Sequence, residues 1–192
     1  MNRFISIAMI IALTAVFAFS HGKSTRLGAR AAFNMSTTVL EKGMKNEFGG
    51  GWEAGLLAGI PIAGTMTFNP GLNFVYRQPV NLKSYNRHEY AISAPFLIQI
   101  MPFGGPIFYA NGGLQVDFPF SFQSRKGATT FYYDDRAPVD VGAVAGAGLF
   151  LAGERVAIDW KVSLGLMDYD SKNRGYNYGK LFQSALGLVY WF

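Results

Sequence analysis

Residues 156–167 read Val156-Ala157-Ile158-Asp159-Trp160-Lys161-Val162-Ser163-Leu164-Gly165-Leu166-Met167. Val156, Ile158, Trp160, Val162, Leu164 and Leu166 share one parity, and Ala157, Asp159, Lys161, Ser163 and Gly165 share the other. Successive side chains of a strand point to opposite faces, whereas a helix would mix the two sets. The stretch therefore reads as a strand with one apolar face and one polar, charged face.

The same alternation extends outward from this segment in both directions. It predicts strands over 26–36, 51–60, 65–77, 89–101, 107–118, 139–150, 156–167 and 181–192, each long enough for the roughly 9–11 residues of a tilted membrane strand. Leu27, Ala29, Ala31, Phe33 and Met35 oppose Arg26, Gly28, Arg30 and Asn34. Phe108, Ala110, Leu114, Val116 and Phe118 oppose Tyr109, Asn111, Gln115 and Asp117, and the last segment aligns Phe182, Leu186, Leu188, Tyr190 and Phe192. With the strands phased in this way, the apolar face carries no charge. The other carries Arg26, Arg30, Glu53, Arg77, Glu89, Asp117, Asp140, Asp159 and Lys161.

The connections alternate as well. Thr37–Gly50, Gln78–His88, Pro119–Pro138 and Asp168–Lys180 are long, while Pro61–Gly64, Pro102–Pro106 and Leu151–Arg155 are short. Short turns at one end and long loops at the other are the rhythm of an outer-membrane barrel. Aromatic residues fall near both expected interfaces, Trp52, Tyr76, Tyr90 and Phe118 at one and Phe68, Phe108, Tyr190 and Phe192 at the other. Trp160 lies nearer mid-strand. A soluble lipocalin-like barrel would carry the same alternation with its apolar face inward; the loop rhythm, the aromatic ends and the terminal Phe192 favour the membrane form. Pro70, within Asn69-Pro70-Gly71, and Pro95 interrupt two of the strands, and a bulge or kink is expected at each.

Ahead of the barrel, Arg3 precedes an almost purely apolar run from Phe4 to Phe19, and Ala18-Phe19-Ser20 supplies small residues where a signal peptidase reads. Residues 1–20 are expected to be a cleaved signal peptide and 21–192 the barrel domain. With no cysteine, disulfide scaffolds, thiolate metal sites and thiol catalysis are excluded. The formal charge of +5 arises without a run of Lys or Arg, which favours anionic lipid or polysaccharide over nucleic acid as a partner.

The chain resembles the small eight-stranded outer-membrane barrels, both the OmpA/OmpX-like and the PorT-like groups. The resemblance spans the mature chain and rests on the architecture together with Leu186-Gly187-Leu188-Val189-Tyr190-Trp191-Phe192. That ending, apolar at alternate positions and closed by Phe192, is similar to the signal read by the barrel assembly machinery, with Tyr190 and Phe192 as its aromatic residues. The resemblance implies an all-β, antiparallel, up-and-down barrel inserted with periplasmic termini and handled by periplasmic chaperones. A monomer is expected, since closure leaves no edge needing a partner.

Eight strands enclose a lumen that side chains fill. The nine charged residues of the polar face, with Asn34, Asn69, Asn73, Ser93, Gln99, Asn111, Gln115 and Gln183, are expected to pair into a network that plugs it; a narrow ion path is the alternative. For catalysis only His21 and His88 are available as imidazole bases. His88 is followed by Glu89-Tyr90, so the His-x-Ser of lipid deacylase barrels is missing its serine, and an outer-leaflet lipid-modifying enzyme ranks behind a structural or adhesive protein. Asp134-Asp135 and Asp168-x-Asp170 are the acidic pairs, and two carboxylates do not make a metal site. No cofactor is expected. Surface contact falls to the loops, where Tyr132, Tyr133, Tyr169, Arg174, Tyr176 and Tyr178 offer residues favoured at interfaces, for a polysaccharide or protein partner.

Overall fold

Strands that are apolar on one face and polar on the other can bury the polar face by curling into a closed sheet. The chain does this in a computed structural model that describes residues 25–39, 47–82, 85–102, 107–126, 129–132, 139–152, 154–168 and 180–192. The strands are β1 (Arg26–Val39), β2 (Gly49–Ala63), β3 (Met66–Leu82), β4 (Tyr85–Ile100), β5 (Phe108–Lys126), β6 (Thr129–Tyr132), β7 (Asp140–Ala152), β8 (Val156–Asp168) and β9 (Lys180–Trp191). All pairings are antiparallel. They run β1-β2-β3-β4-β5-β7-β8-β9, and β9 closes on β1 with Gly28 opposite Trp191 and Val39 opposite Lys180. The result is a closed eight-stranded all-β barrel.

β6 is a ninth strand that the alternation did not announce. It pairs only with the far end of β5, Gln123 opposite Tyr132 and Lys126 opposite Thr129, and makes a hairpin within what read as the loop Pro119–Pro138. β3, β4 and β5 also continue past their expected ends on the long-loop side, and Gln78–His88, read as a loop, is mostly strand. The start of β1 and the end of β9 lie at the other, short-turn mouth. The expected signal peptide and most of the loop residues singled out above, including Tyr133, Tyr169, Arg174, Tyr176 and Tyr178, lie outside the described residues.

Of the bulge or kink expected at Pro70 and Pro95, no bulge is there, since the register does not shift at either. Each proline instead interrupts the ladder on one side and keeps it on the other. Between β2 and β3 the pairing skips from Leu57 opposite Gly71 to Ile60 opposite Phe68 without a register shift, while Pro70 still faces Phe96. Between β3 and β4 it skips from Pro70 opposite Phe96 to Asn73 opposite Ser93, while Pro95 still faces Gln115. A proline lacks one donor, so one ladder loses a bond; strand direction and in/out parity are kept. Register shifts do occur at other prolines: Pro61, Pro79 between Arg77 and Val80, and Pro119 opposite Ala91.

The outward surface is apolar. Phe33, Leu56, Leu114, Leu149, Ile158, Leu186 and Leu188 are all exposed on it. Trp160 is half exposed on the same face, and its indole N–H donates to Ser184 Oγ on β9 at 3.0 Å. That contact explains how an indole sits away from the interfacial belts: a donor facing hydrocarbon needs an internal acceptor. Replacing Ser184 by Ala should lower unfolding stability in lipid vesicles by about 1 kcal/mol. Adding Trp160→Phe should recover most of that loss in a urea titration, because no donor is then left stranded.

Candidate functional site

The interior is built from inward-facing residues of all eight barrel strands, β7 turning mainly Gly142, Val144, Gly146 and Gly148 toward it. Arg77 on β3 stands opposite Glu89 on β4 in the register. Arg77 Nη2 and Nε donate to Glu89 Oε1 at 2.7 and 3.1 Å, and Nη1 donates to Asp117 Oδ2 on β5 at 2.7 Å. The same Nη1 donates to Gln183 Oε1 on β9 at 3.2 Å. Gln183 Nε2 passes the chain of bonds to Glu53 on β2 at 3.0 Å. Glu53 pairs with Arg30 on β1, and Arg30 Nε donates to Asp159 Oδ1 on β8 at 2.8 Å. Tyr109 and Asn111 also donate to Asp159, at 3.2 and 3.4 Å, and Gln115 donates to Asp117 at 2.9 Å.

One hydrogen-bonded network thus crosses the lumen from Asp117 to Asp159. Arg77 is 1% exposed and Glu89 0%, so it has no bulk water to lean on. Lys161 is buried beside it, in a cavity that Arg30 and Asp159 also line. Arg26 takes no part: it is exposed at the short-turn rim and pairs there with Glu154 at 2.9 Å. Asp140 faces inward at the long-loop end of β7, partly buried. Arg87, within the expected loop Gln78–His88, is instead a buried inward residue of β4. Period-two alternation continues through Arg87, Glu89 and Ala91, but no apolar outward residue at 86 or 88 marks it.

Below the ions, at the short-turn mouth, lies an apolar floor of Tyr109, Ala157, Val189 and Trp191, with Leu57, Met101 and Phe150 packed against it. In the sequence Trp191 stands out only as part of the terminal segment. Its inward parity, opposite to that of Tyr190 and Phe192, was the available signal. Tyr190 and Phe192 are exposed on the outer face, their rings edge to face at 5.6 Å.

His88 faces outward. Its ring stacks on Tyr76 at 6.1 Å, with Nδ1 2.8 Å from the Tyr76 hydroxyl and 3.2 Å from Gln78 Nε2. Trp52, Phe74, Tyr90 and Phe120 continue this outward aromatic cluster across β2 to β5. Among the described residues no group of three or more His, Asp and Glu side chains could hold a metal ion.

Breaking one partner out of a buried ionic cluster strands the others. Arg77→Met should therefore lower unfolding stability by about 3–5 kcal/mol, since Glu89 and Asp117 are left uncompensated. The triple change Arg77→Met, Glu89→Gln, Asp117→Asn should recover most of that loss. Equilibrium urea unfolding of the three proteins in the same lipid vesicles checks this.

No family model and no curated protein matches the sequence. Solved structures do match. Neisserial surface protein A is similar with a TM-score of 0.57 at 13% identity, covering 88% of this chain and 97% of that one. Ail, the attachment invasion locus protein of Yersinia pestis, in complex with the heparin analogue sucrose octasulfate, is similar with a TM-score of 0.55 at 9% identity, covering 88% of this chain and 99% of that one. A closed sheet of this strand number, apolar outside and ionic within, that superposes on two such proteins over nearly their whole length has the fold of the small eight-stranded outer-membrane β-barrels.

Proposed function

We propose that this chain is a monomeric, non-enzymatic outer-membrane protein, set in lipid with both termini in the periplasm, whose work is surface contact through its long-loop end. The observation that carries this reading is the filled lumen. The network from Asp117 to Asp159 leaves no wide pore, and the outer wall is an apolar band suited to lipid. What remains available to an extracellular partner is the end bearing the long connections. The outward Tyr190 and Phe192 on the closing strand support delivery by periplasmic chaperones and recognition by the barrel assembly machinery.

The chemistry of those connections favours an acidic polysaccharide or protein. Tyr169, Lys172, Arg174, Tyr176 and Tyr178 set three rings and two cations within ten residues against the one carboxylate of Asp170, and Tyr132, Tyr133 and Arg136 add rings and a cation next to Asp134 and Asp135. Guanidinium and ammonium groups attract sulfate or carboxylate, and tyrosine rings stack on sugars. The formal charge of +5 agrees in sign. The similar Yersinia structure holds a heparin analogue, which makes a sulfated polysaccharide the first ligand to try.

Replacing residues 169–178 with a short Gly/Ser turn should leave the folded barrel's heat-modifiable gel migration unchanged. The same replacement should weaken binding to immobilised heparin at least tenfold. Undiminished binding by the replaced protein would sink the loop assignment, and large steady currents from the reconstituted wild type would sink the filled-lumen reading.

A further inference from the structure

The floor of the lumen and the ionic network above it are separated by a cavity of about 30 Å³. Arg30, Asn69, Gln99, Asn111 and Lys161 give its lining polar groups, and Leu57, Val189 and Trp191 give it apolar ones. Three buried polar atoms around it have no protein partner: Asn69 Oδ1, Asn111 Oδ1 and Arg30 Nη2. Two are acceptors and one is a donor. The charges nearby balance, with Arg30 and Lys161 against Glu53 and Asp159, so the site calls for neither an anion nor a cation. A water needs roughly 10–15 Å³ and two to four polar partners, so this space suits about two waters bridging donor to acceptors.

Trp191 lines this chamber and belongs to the apolar floor at the short-turn mouth. Its indole is 7% exposed and rests on two glycines from neighbouring strands, Gly28 on β1 and Gly59 on β2. A Cβ at Gly28 would come within 2.9 Å of Trp191 Cε3, and one at Gly59 within 3.1 Å of Cζ3 and 3.2 Å of Cη2. Side chains at both positions would lift the ring off its seat. Tyr109, Val189 and Ala157 pack around it, and Tyr109 ties that floor to Asp159.

We propose that Trp191 is a stopper, seated on Gly28 and Gly59, that closes the short-turn mouth and isolates a water-holding chamber beneath the ionic network. The chamber belongs to the mouth side: above it the Arg30–Glu53–Gln183–Arg77 chain of bonds bars the way. Removing the stopper therefore opens a dead-end pocket rather than a channel. Small hydrophilic solutes would then enter from the short-turn mouth, and the barrel would still not conduct.

The chain has no cysteine, so a single introduced thiol reports on the chamber. Leu97 is 5% exposed and lines the cavity without joining the ionic network, which makes Leu97→Cys the reporter. The full chain, folded in detergent micelles, is treated with a small positively charged methanethiosulfonate, and labelling is followed by mass. With Trp191 present the thiol should react slowly; with Trp191→Ala it should react at least tenfold faster, while single-channel recordings stay silent. Heat-modifiable migration shows in each case that the barrel is closed. If Trp191→Ala does not fold, Trp191→Leu, which keeps an apolar filling but cannot span both glycines, should accelerate labelling in the same direction. Equal rates with and without the indole would overturn the proposal, whether both are fast or both slow. Steady currents through Trp191→Ala would overturn the dead-end geometry.

Discussion

A strand in hydrocarbon can send its N–H and C=O groups only to another strand, and everything else in this molecule follows from that. The sheet must close, so β9 must find β1. Closure puts the start of β1 and the end of β9 at one mouth and sorts the connections into short turns and long loops. It also makes parity absolute: each residue faces either lipid or lumen. The prolines show how firmly the constraint acts. Pro70 and Pro95 each remove one ladder bond, yet register and parity pass through both unshifted. The shifts at Pro61 and Pro79 fall near strand ends, and the one at Pro119 falls just past Asp117, where β5 stops pairing with β7.

Closure with eight strands leaves a lumen only as wide as its side chains, and this chain fills it with ions rather than hydrocarbon. Net stability is a weak reason for that choice, because buried ion pairs often contribute little against apolar residues of equal volume. Register is a stronger one. A one-residue slip would turn every inward side chain outward. Arg30, Arg77, Glu53, Glu89, Asp117 and Asp159 would then meet lipid, at about 2–4 kcal/mol for each basic residue at the midplane. An interior of leucine would carry no such penalty and would leave the two faces alike. The ionic lumen thus specifies which face is which, and the hydrogen bonds from Arg77 to three strands then fix how those strands meet.

How much of this was readable in the sequence depended on where water lies. Along the span, one face meets hydrocarbon and the other meets the lumen, and the contrast prints a clean period of two. Val156–Met167 shows it without ambiguity, and the inward positions of Arg30, Glu53, Arg77, Glu89, Asp117, Asp159 and Lys161 follow from it. Beyond the long-loop interface both faces are wet, the contrast fades, and β6 and the extensions of β3, β4 and β5 read as loops. Arg87 was lost for that reason. Arg26 was misplaced for the opposite one: it has inward parity but sits at the rim, where its side chain reaches Glu154 and solvent instead of the lumen. The pairing of Arg77 with Gln183 links residues far apart in sequence, and no local pattern could announce it. The acceptor that settles Trp160 is likewise a neighbour only because β8 and β9 are in register.

The last three residues gather these constraints in one place. Tyr190 and Phe192 face outward and Trp191 inward, so a single turn of the alternation serves lipid and lumen at once. Trp191 N–H donates to the Arg155 carbonyl and Phe192 N–H to the Leu27 carbonyl, which ties the chain end to β1 and to the turn before β8. Neither glycine of the indole's seat belongs to β9: Gly28 lies on β1 and Gly59 on β2. The indole can therefore be buried only once β9 has paired with β1. Closing the sheet and closing its mouth are the same event, completed by the same strand.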